Sequence, residues 1–508
     1  MTFAKKLDLL MNITNTSNSI LARNIALDAS FISRLRRGLR TPARNVTYLQ
    51  SMAEYFARSC RAEYQKTALL GAINDNSATK YSATEPLEVI IYQWLNQHGL
   101  PSVPIDEFLD DISSFQFRKN SAGTSIDLGK TDCITVSETE VFYGVQGKKS
   151  AVLGFLSLVL KSDTPQTLLL YSDEGLEWMT DDPGFTSKWA SMLSQVLQKG
   201  NRIKIIHSIN RHFEEMAAGI RKWVPLYMTG AIEPYYYPKT RDGLFRRTLF
   251  IAPETAAVAS SSVGRSTGKE ANFLFTDLET VKALMEEYTS ILHLCRPLMR
   301  ISTPGNNRDY LSLLREFEAE ITNIIIKADG PSNLTLPPDV LNSIMDRADH
   351  GTRKQLLSYQ QNRIDTFLIN IQEHQVAEIF TLPNLDRIIA GEAAVNFSDL
   401  LSPVQLSYTA EEYRRHLQNV IHLLETYDNY SVYLSNSKNL EGIIVYVRED
   451  VGVLVVKNSL PPVVFAINQN NMISAFWDYL YLILSNESRR ASSRSNTIAR
   501  LKEILARL

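Results

Sequence analysis

The chain has 508 residues, 44% of them hydrophobic and 21% charged, with 53 Lys and Arg against 55 Asp and Glu for a formal net charge of −2. That balance belongs to folded globular chains and excludes disordered, collagen-like or strongly biased repeat sequences, while the length predicts about three domains. The longest apolar stretch, Ala151 to Leu160, ends at Lys161, well short of the ~20 residues that span a bilayer.

The amino-terminal residues Met1-Thr2-Phe3-Ala4-Lys5-Lys6 carry no apolar core of a secretion signal. Three scattered cysteines, Cys60, Cys133 and Cys295, make neither a disulfide framework nor a zinc site. The expectation is a soluble, cytoplasmic protein with no membrane partner, no metal and no cofactor.

Charge is segregated along the chain. The first 66 residues hold eleven basic groups (Lys5, Lys6, Arg23, Arg34, Arg36, Arg37, Arg40, Arg44, Arg58, Arg61, Lys66) and four acidic ones (Asp8, Asp28, Glu54, Glu63), a balance of +7 that leaves −9 for the rest. A basic head on an acidic body suits a head that meets a polyanion and a body that keeps away from it. A smaller basic run, from Arg489 to Arg507, reads as a solvated terminal helix.

In chain order, Ser19 to Leu27 predicts a helix with Leu21, Ala22 and Ile25 on one face. Asp28-Ala29-Ser30 offers capping residues to a second helix from Phe31 to Arg37, which points Ile32 and Leu35 inward and Ser33, Arg34 and Arg37 outward; Gly38 can end it. Thr41-Pro42 stops the turn, and Val46 to Cys60 forms an amphipathic helix through Leu49, Met52, Ala53 and Phe56. Two short helices about a tight turn, the second rich in arginine, have the spacing of a helix-turn-helix. The string Leu21-Ala22, Asp28-Ala29-Ser30, Ile32-Ser33-Arg34, Arg37-Gly38, Arg40-Thr41-Pro42 resembles the lambda-repressor/Cro (XRE) family of bacterial DNA-binding domains over about residues 8 to 60. Ala26-Leu27 stands where that family usually has a Gly-containing turn.

The resemblance implies that Ser30, Phe31, Ser33 and Arg34 face base edges and that Arg37, Arg40, Thr41 and Asn45 face phosphates of double-stranded DNA. Arginine reads guanine with two hydrogen bonds and neutralises phosphate, so the chemistry agrees. It also implies a homodimer or higher homo-oligomer. The competing reading is a helical domain for protein contact with a solvated arginine face.

Beyond the head, Ile73 to Thr79 reads as a polar linker, followed by helices over Glu85 to Gln97 and Ile105 to Phe115. An α/β pattern follows: strands over Thr167 to Tyr171 and Arg202 to His207, helices over Phe185 to Leu197 and Arg211 to Val224, and a hairpin of Arg247 to Ile251 with Ala256 to Val263. A strand at Asn272 to Phe275 and a helix from Asp277 to Leu294 complete it. Near the end a similar order recurs: a helix over Glu411 to Tyr427, a strand over Ser431 to Leu434, a hairpin of Gly442 to Val447 with Gly452 to Val456, a strand over Val463 to Ile467, and a helix over Met472 to Leu484.

Phe250-Ile251-Ala252 overlays Tyr446-Val447-Arg448, and Phe273 to Thr276 overlays Val464 to Ile467, so an internal duplication is expected. The fold class is therefore multidomain, an all-α head followed by a large α/β body. Its divisions fall at 1–66 (DNA-binding head), 67–120 (helical linker region), 121–300 (first α/β unit), 301–410 (mainly helical connection), 411–485 (second α/β unit) and 486–508 (basic terminal helix).

This order is similar to the phospholipase D superfamily and to sugar-responsive regulators that carry a catalytically dead version behind a DNA-binding head. Its enzymes need His-x-Lys-x-x-x-x-Asp at the hairpin; here those positions read Phe245, Arg247, Ala252 and Leu440, Gly442, Val447. No catalytic residue is assigned. Gly129-Lys130-Thr131 lacks the upstream glycine of a phosphate loop, since Thr124 stands there.

His207, Asn210, Arg211 and Glu214 form a candidate polar cluster for a small-molecule effector, beside which a hydrogen-bonded structural histidine is the plainer reading. The aromatic run from Trp223 to Tyr237, including Tyr235 and Tyr237, reads either as a pocket lining or as core with a subunit contact. The functional expectation is a sequence-specific transcriptional regulator whose body dimerises and senses a ligand. The alternatives are a DNA-tethered phosphodiesterase or nuclease, or an assembly protein that uses the head for partner contact.

Overall fold

The computed structural model describes residues 3–14, 16–36, 42, 47–60, 63–75, 86–96, 102–114, 138–174, 177–207, 223–238, 244–263, 269–303, 310–347, 353–396, 406–435, 441–458, 462–491 and 494–508. Six helices build the head: α1 (Phe3–Ile13), α2 (Asn18–Asn24), α3 (Ala29–Arg36), α4 (Thr47–Ser59), α5 (Glu63–Asp75) and α6 (Leu87–Asn96). Leu21, Ala22, Ile25, Ile32, Leu35, Leu49, Met52, Ala53 and Phe56 are buried together, as their helical spacing predicts. The same core continues past residue 66 through Leu69, Ile73, Ile90, Ile91, Trp94 and Leu95. Ile73, expected in a polar linker, is fully buried at the end of α5. Buried Lys6 ties α1 to α6 by donating to the Trp94 carbonyl at 2.5 Å, and burial lowers its pKa to about 8.

The connection between α2 and α3 explains the missing glycine. Ile25 N donates to Leu21 O at 3.1 Å and Leu27 N to Ala22 O at 2.9 Å, while Ala26 takes a left-handed φ of 54°. This is the Schellman arrangement, with alanine at the position that favours glycine.

Two sheets build the body. The first runs β1-β7-β6-β5-β2-β3-β4-β8 and the second β12-β11-β10-β13-β14-β15-β9. The first uses β1 (Thr139–Tyr143), β2 (Thr167–Ser172), β3 (Arg202–His207), β4 (Ile232–Tyr236), β5 (Phe245–Ala252), β6 (Ala256–Val263), β7 (Ala271–Phe275) and β8 (Arg296–Pro297). The second uses β9 (Met299–Ser302), β10 (Ile324–Ala328), β11 (Val376–Phe380), β12 (Tyr430–Leu434), β13 (Ile443–Arg448), β14 (Gly452–Lys457) and β15 (Val463–Ile467).

Apart from β8, both sheets follow one topology. Three parallel strands (β2-β3-β4, β10-β11-β12) join a hairpin and a third antiparallel strand (β5-β6-β7, β13-β14-β15), and the strand preceding the parallel set returns to the far edge. The hairpins share a register: Ala252 faces Ala256 and Arg448 faces Gly452, so Phe250 to Ala252 match Tyr446 to Arg448. The second overlay slips by one residue. Phe273 pairs with Ala259 and Phe465 with Val455, which makes Phe273 the counterpart of Phe465 rather than of Val464.

Helices cover the sheets. In the first unit α8 (Gly144–Lys161) and α9 (Pro183–Gln198) lie on one face and α10 (Leu278–Leu292) on the other. The second unit carries α11 (Tyr310–Glu318), α12 (Pro338–Asp346), α13 (Arg353–Glu373), α14 (Ala410–Thr426) and, from beyond β15, α16 (Arg494–Leu505) on one face. Its other face takes α15 (Asn470–Ala491) and the earlier helix α7 (Ser102–Ser114).

The stretch 301–410, expected as a mainly helical connection, supplies β10, β11 and part of β9 and belongs to the second unit. Its central strands are apolar on both faces, as Ile324-Ile325-Ile326 shows, so they lack the alternation that marks a half-exposed strand. The basic terminal helix docks through Thr497, Leu501 and Arg494, while Arg500, Lys502 and Arg507 are exposed. Arg494 donates to the Tyr427 and Tyr430 carbonyls at 2.8 and 2.7 Å, and Lys502 donates to Glu425 at 2.8 Å.

Candidate functional site

On α3, Ile32 and Leu35 are fully buried, which turns Ser33 and Arg34 away from the core. Arg34 is exposed and has no ion-pair partner among the described residues. Its neighbour Arg36 differs: its Nε donates to Asp8 at 2.6 Å and a terminal nitrogen to Asn12 at 3.2 Å, which fixes α3 against α1. Phe31 is half-buried and packs edge-on to Tyr48 at 5.5 Å between centroids, so its ring also serves the head's packing. Ser30 lies within α3, but its side chain is outside the described residues, as are Arg37, Arg40, Thr41 and Asn45.

Of the second expected site, His207, Tyr235 and Tyr237 lie among the described residues. His207 ends β3, and its Nε2 lies 2.6 Å from the Tyr227 hydroxyl. Its ring meets Trp223 edge-on at 5.9 Å, and Trp223 meets Trp189 at 5.2 Å. Burial lowers the His207 pKa to about 4 and raises that of Tyr227 well above its ordinary value. A neutral imidazole bonded to a neutral phenol therefore sits in an aromatic box.

Tyr235 does not join it: strand alternation puts it on the opposite face, packed beneath α10 with Ile206. Its hydroxyl donates to Glu233 at 3.0 Å, and burial with that carboxylate pushes its pKa up to about 12. Tyr237 lies just beyond β4, half-buried, and Asn210, Arg211 and Glu214 lie outside the described residues. Trp223, Val224, Tyr227 and Met228 are buried, so this part of the aromatic run is core.

Several polar clusters carried no sequence signal as sites. In the first unit Lys148 and Glu174 form a fully enclosed ion pair, and Lys149 Nζ lies 3.2 Å from Asp182. Each unit places an aspartate just past its first parallel strand, and each binds a backbone N–H at the start of the hairpin. Asp173 accepts from Arg247 N at 2.5 Å and Asp329 from Gly442 N at 2.6 Å.

The second unit also has a buried network. Glu378 accepts from Ser332 N and Oγ at 3.0 and 2.8 Å, Thr335 Oγ1 lies 2.8 Å from His416 Nε2, and Tyr408 lies 3.2 Å from His416 Nδ1. Burial raises the Glu378 pKa and lowers that of His416 to about 3. Gly330 to Leu336 form a fully buried loop, although Gly-Pro-Ser-Asn reads as an exposed turn.

At the hairpin, the shared register makes Glu441, Ile443 and Arg448 the counterparts of Phe245, Arg247 and Ala252, one residue on from the motif positions Leu440, Gly442 and Val447. Neither set supplies His, Lys and Asp. Arg247 is bound to Glu287 at 2.9 and 2.8 Å. Among the described residues no cluster of three or more His, Cys, Asp or Glu could hold a metal, and no helix is long and apolar enough to cross a membrane.

No family model matches the chain, and no curated protein does. Solved structures that resemble it include TrmBL2, an archaeal chromatin protein described with a novel mode of DNA binding. That match has 15% identity and a TM-score of 0.23, over 32% of this chain and 55% of that one, so this chain spans about half the chromatin protein's length. NucT from Helicobacter pylori matches at 13% identity and a TM-score of 0.23, over 31% of this chain and 98% of its own. Nuc from Salmonella typhimurium, a phospholipase D family member, matches at 14% and 0.21, over 31% and 96%. At these scores the likenesses carry no argument about function.

Proposed function

We propose that this protein is a sequence-specific DNA-binding regulator of transcription, with α2 and α3 as a helix-turn-helix and a body that pairs two heads and responds to a small effector. The observation that carries the reading is α3 itself. One face is locked into the head by Ile32, Leu35 and Arg36, while Ser33 and Arg34 are left outward on a head of charge +7. Such a helix reads a major groove through its outward side chains, and surrounding arginines neutralise phosphate.

The repeated sheet topology supports an ancestral duplication of the body. We also propose that the body is non-catalytic, because the hairpin positions lack a nucleophilic histidine in both units.

Footprinting of the full-length protein on duplex DNA tests it. The expected result is a protected pair of half-sites whose affinity falls with salt. Arg34→Ala should weaken the specific site by about 1–3 kcal/mol and relax the preference at one base position. Binding that is indifferent to Arg34→Ala, or absent at low salt, would remove the base-reading assignment.

A further inference from the structure

Strand pairing lines up one row of residues across the first sheet, on the face beneath α8. It runs through Phe142, Asn272, Ser260 and Thr248 on β1, β7, β6 and β5, and continues with Ser172 and His207 at the ends of β2 and β3. The shared register gives the counterpart in the second sheet as Ser302, Val464, Val456 and Ile444 on β9, β15, β14 and β13, continuing with Ala328 and Phe380 on β10 and β11. Both rows are buried at their centre, yet the first is polar and the second, past Ser302, is apolar.

Burial at this depth requires a partner for each polar atom, and part of the first row has one. Ser172 Oγ lies 2.9 Å from Thr248 Oγ1, and Glu174 N donates to Ser172 Oγ at 3.4 Å, which joins the row to the enclosed Lys148–Glu174 pair. Asn272 Nδ2 faces the carbonyl oxygens of Gly144, Glu270 and Phe142 at 3.1, 3.3 and 3.4 Å. Those three contacts fix the amide, since turning it over would set Oδ1 against the same carbonyls.

The remaining atoms are not satisfied within the protein. Asn272 Oδ1 and Ser260 Oγ, on facing residues, and Ser262 Oγ, two residues along β6, are buried with no hydrogen-bond partner among the described residues. Asn272 and Ser260 are 0% and 1% exposed, so bulk solvent does not serve them. Their chemistry specifies an occupant. Asn272 Oδ1 only accepts, so the occupant must donate, which excludes a bare anion, while each hydroxyl can accept or donate. An enclosed water needs two to four polar partners, and three converge on this part of the row.

We propose that the first unit binds an ordered water beneath the start of α8, held by Asn272 Oδ1 and Ser260 Oγ with Ser262 Oγ as a third partner. The second unit closes the same position dry with Val464 and Val456. The water extends the polar line that runs from Lys148 and Glu174 through Ser172 and Thr248, and carries it to Asn272, which holds the first residue of α8 by its carbonyl.

A crystal structure of the full-length protein, resolved finely enough to show bound water, reads the site directly. The expected result is a density peak within hydrogen-bond distance of Asn272 Oδ1 and Ser260 Oγ. A direct Ser260–Asn272 hydrogen bond with no peak would overturn the proposal, because the row would then satisfy itself. So would anomalous scattering from the peak after a rubidium soak, because the occupant would be a cation. Urea midpoints give an independent sign. With the water bound, Ser260→Ala removes one of its partners, and the midpoint falls with its slope unchanged. With Ser260 Oγ bare, the same change deletes a stranded hydroxyl; an unchanged or raised midpoint would therefore also sink the proposal.

Discussion

The two units of the body share a topology and differ in what they bury. At the centre of the second sheet stands Glu378, and its counterpart in the first is Ile205. At the end of the neighbouring position the first unit has His207 and the second Phe380. Strand order and register are thus compatible with opposite chemistry at the same place, because the hydrogen-bonded ladder depends on backbone pairing and each polar side chain needs only a local partner. Ser332 meets Glu378 from a buried loop, and Tyr227 meets His207 from a short helix.

Among the described residues each unit has an ion pair with both side chains buried, and removing the carboxylates should give the largest effects. Glu318 binds Arg363 through both oxygens at 2.7 and 2.6 Å. Burial alone lowers the Arg363 pKa, but the Glu318 charge outweighs it and holds the guanidinium above its ordinary value. Glu318→Gln strands a cation that cannot shed its proton, and should cost about 3–5 kcal/mol. Glu174→Gln leaves Lys148 with the face of Trp178, 6.0 Å from its ammonium, so its cost should be smaller.

Since one apolar core takes in residues of both sheets, from Leu168 and Phe250 to Val445 and Phe465, both variants should shift a single urea transition with its slope unchanged. Equal shifts, or a Glu318→Gln shift no larger than that of Glu316→Gln at the exposed Arg300 pair, would break the comparison.

Titration sharpens it next. Folded His207 has a pKa of about 4 against about 6.5 for an unperturbed histidine. Above pH 6.5 both states are neutral. As pH falls toward 4 the unfolded chain takes up the proton first, so this contribution to stability is lost across that window. His416 acts with the same sign down to about pH 3. Glu378 has the opposite sign: its folded pKa is raised, so its contribution falls as pH rises through that value.

His207→Phe imports the second unit's residue. It should flatten the acid limb of the stability curve by up to about 1.4 kcal/mol per pH unit, and cost about 1–3 kcal/mol at pH 7 because the Tyr227 hydroxyl loses its partner. Urea midpoints from pH 4 to 8 measure both; an unchanged slope would mean that His207 is not the titrating group.

How much was legible in the sequence follows the same contrast. The head's helices could be read because Leu21, Ile25, Ile32 and Leu35 repeat at helical spacing, and the hairpins because strands flank short polar turns such as Glu449-Asp450-Val451. β10 could not, because a strand buried on both faces has no period to read. The loop from Gly330 to Leu336 was also hidden: turn-forming residues give no sign that Glu378, Asn396 and Gln360, 27 to 65 positions from the groups they bind, will satisfy its polar groups. Of the polar cluster expected around His207, only His207 lies among the described residues. Its partner Tyr227 lay in the aromatic run, but strand alternation carries Tyr235 to the other face.

The smallest effects concern how helices end before a sheet or a second helix. In the first unit α9 ends at Gly200, whose φ is +88° and whose N–H donates to Leu197 O at 2.9 Å. The second unit ends the corresponding helix, α13, at Glu373 without a left-handed glycine. A Cβ at Gly200 would meet only Pro165, at ordinary van der Waals distance, so Gly200→Ala should cost only the conformational term, about 1 kcal/mol. Ala26 poses the reverse case: an alanine already holds φ 54° at the end of α2, and Ala26→Gly should recover a similar amount in the head. Chemical denaturation of the two variants should therefore give shifts of opposite sign and similar size. A destabilising Ala26→Gly would mean that entropy lost by the more flexible unfolded chain outweighs relief of the strained turn, and that the alanine there is tolerated at no cost.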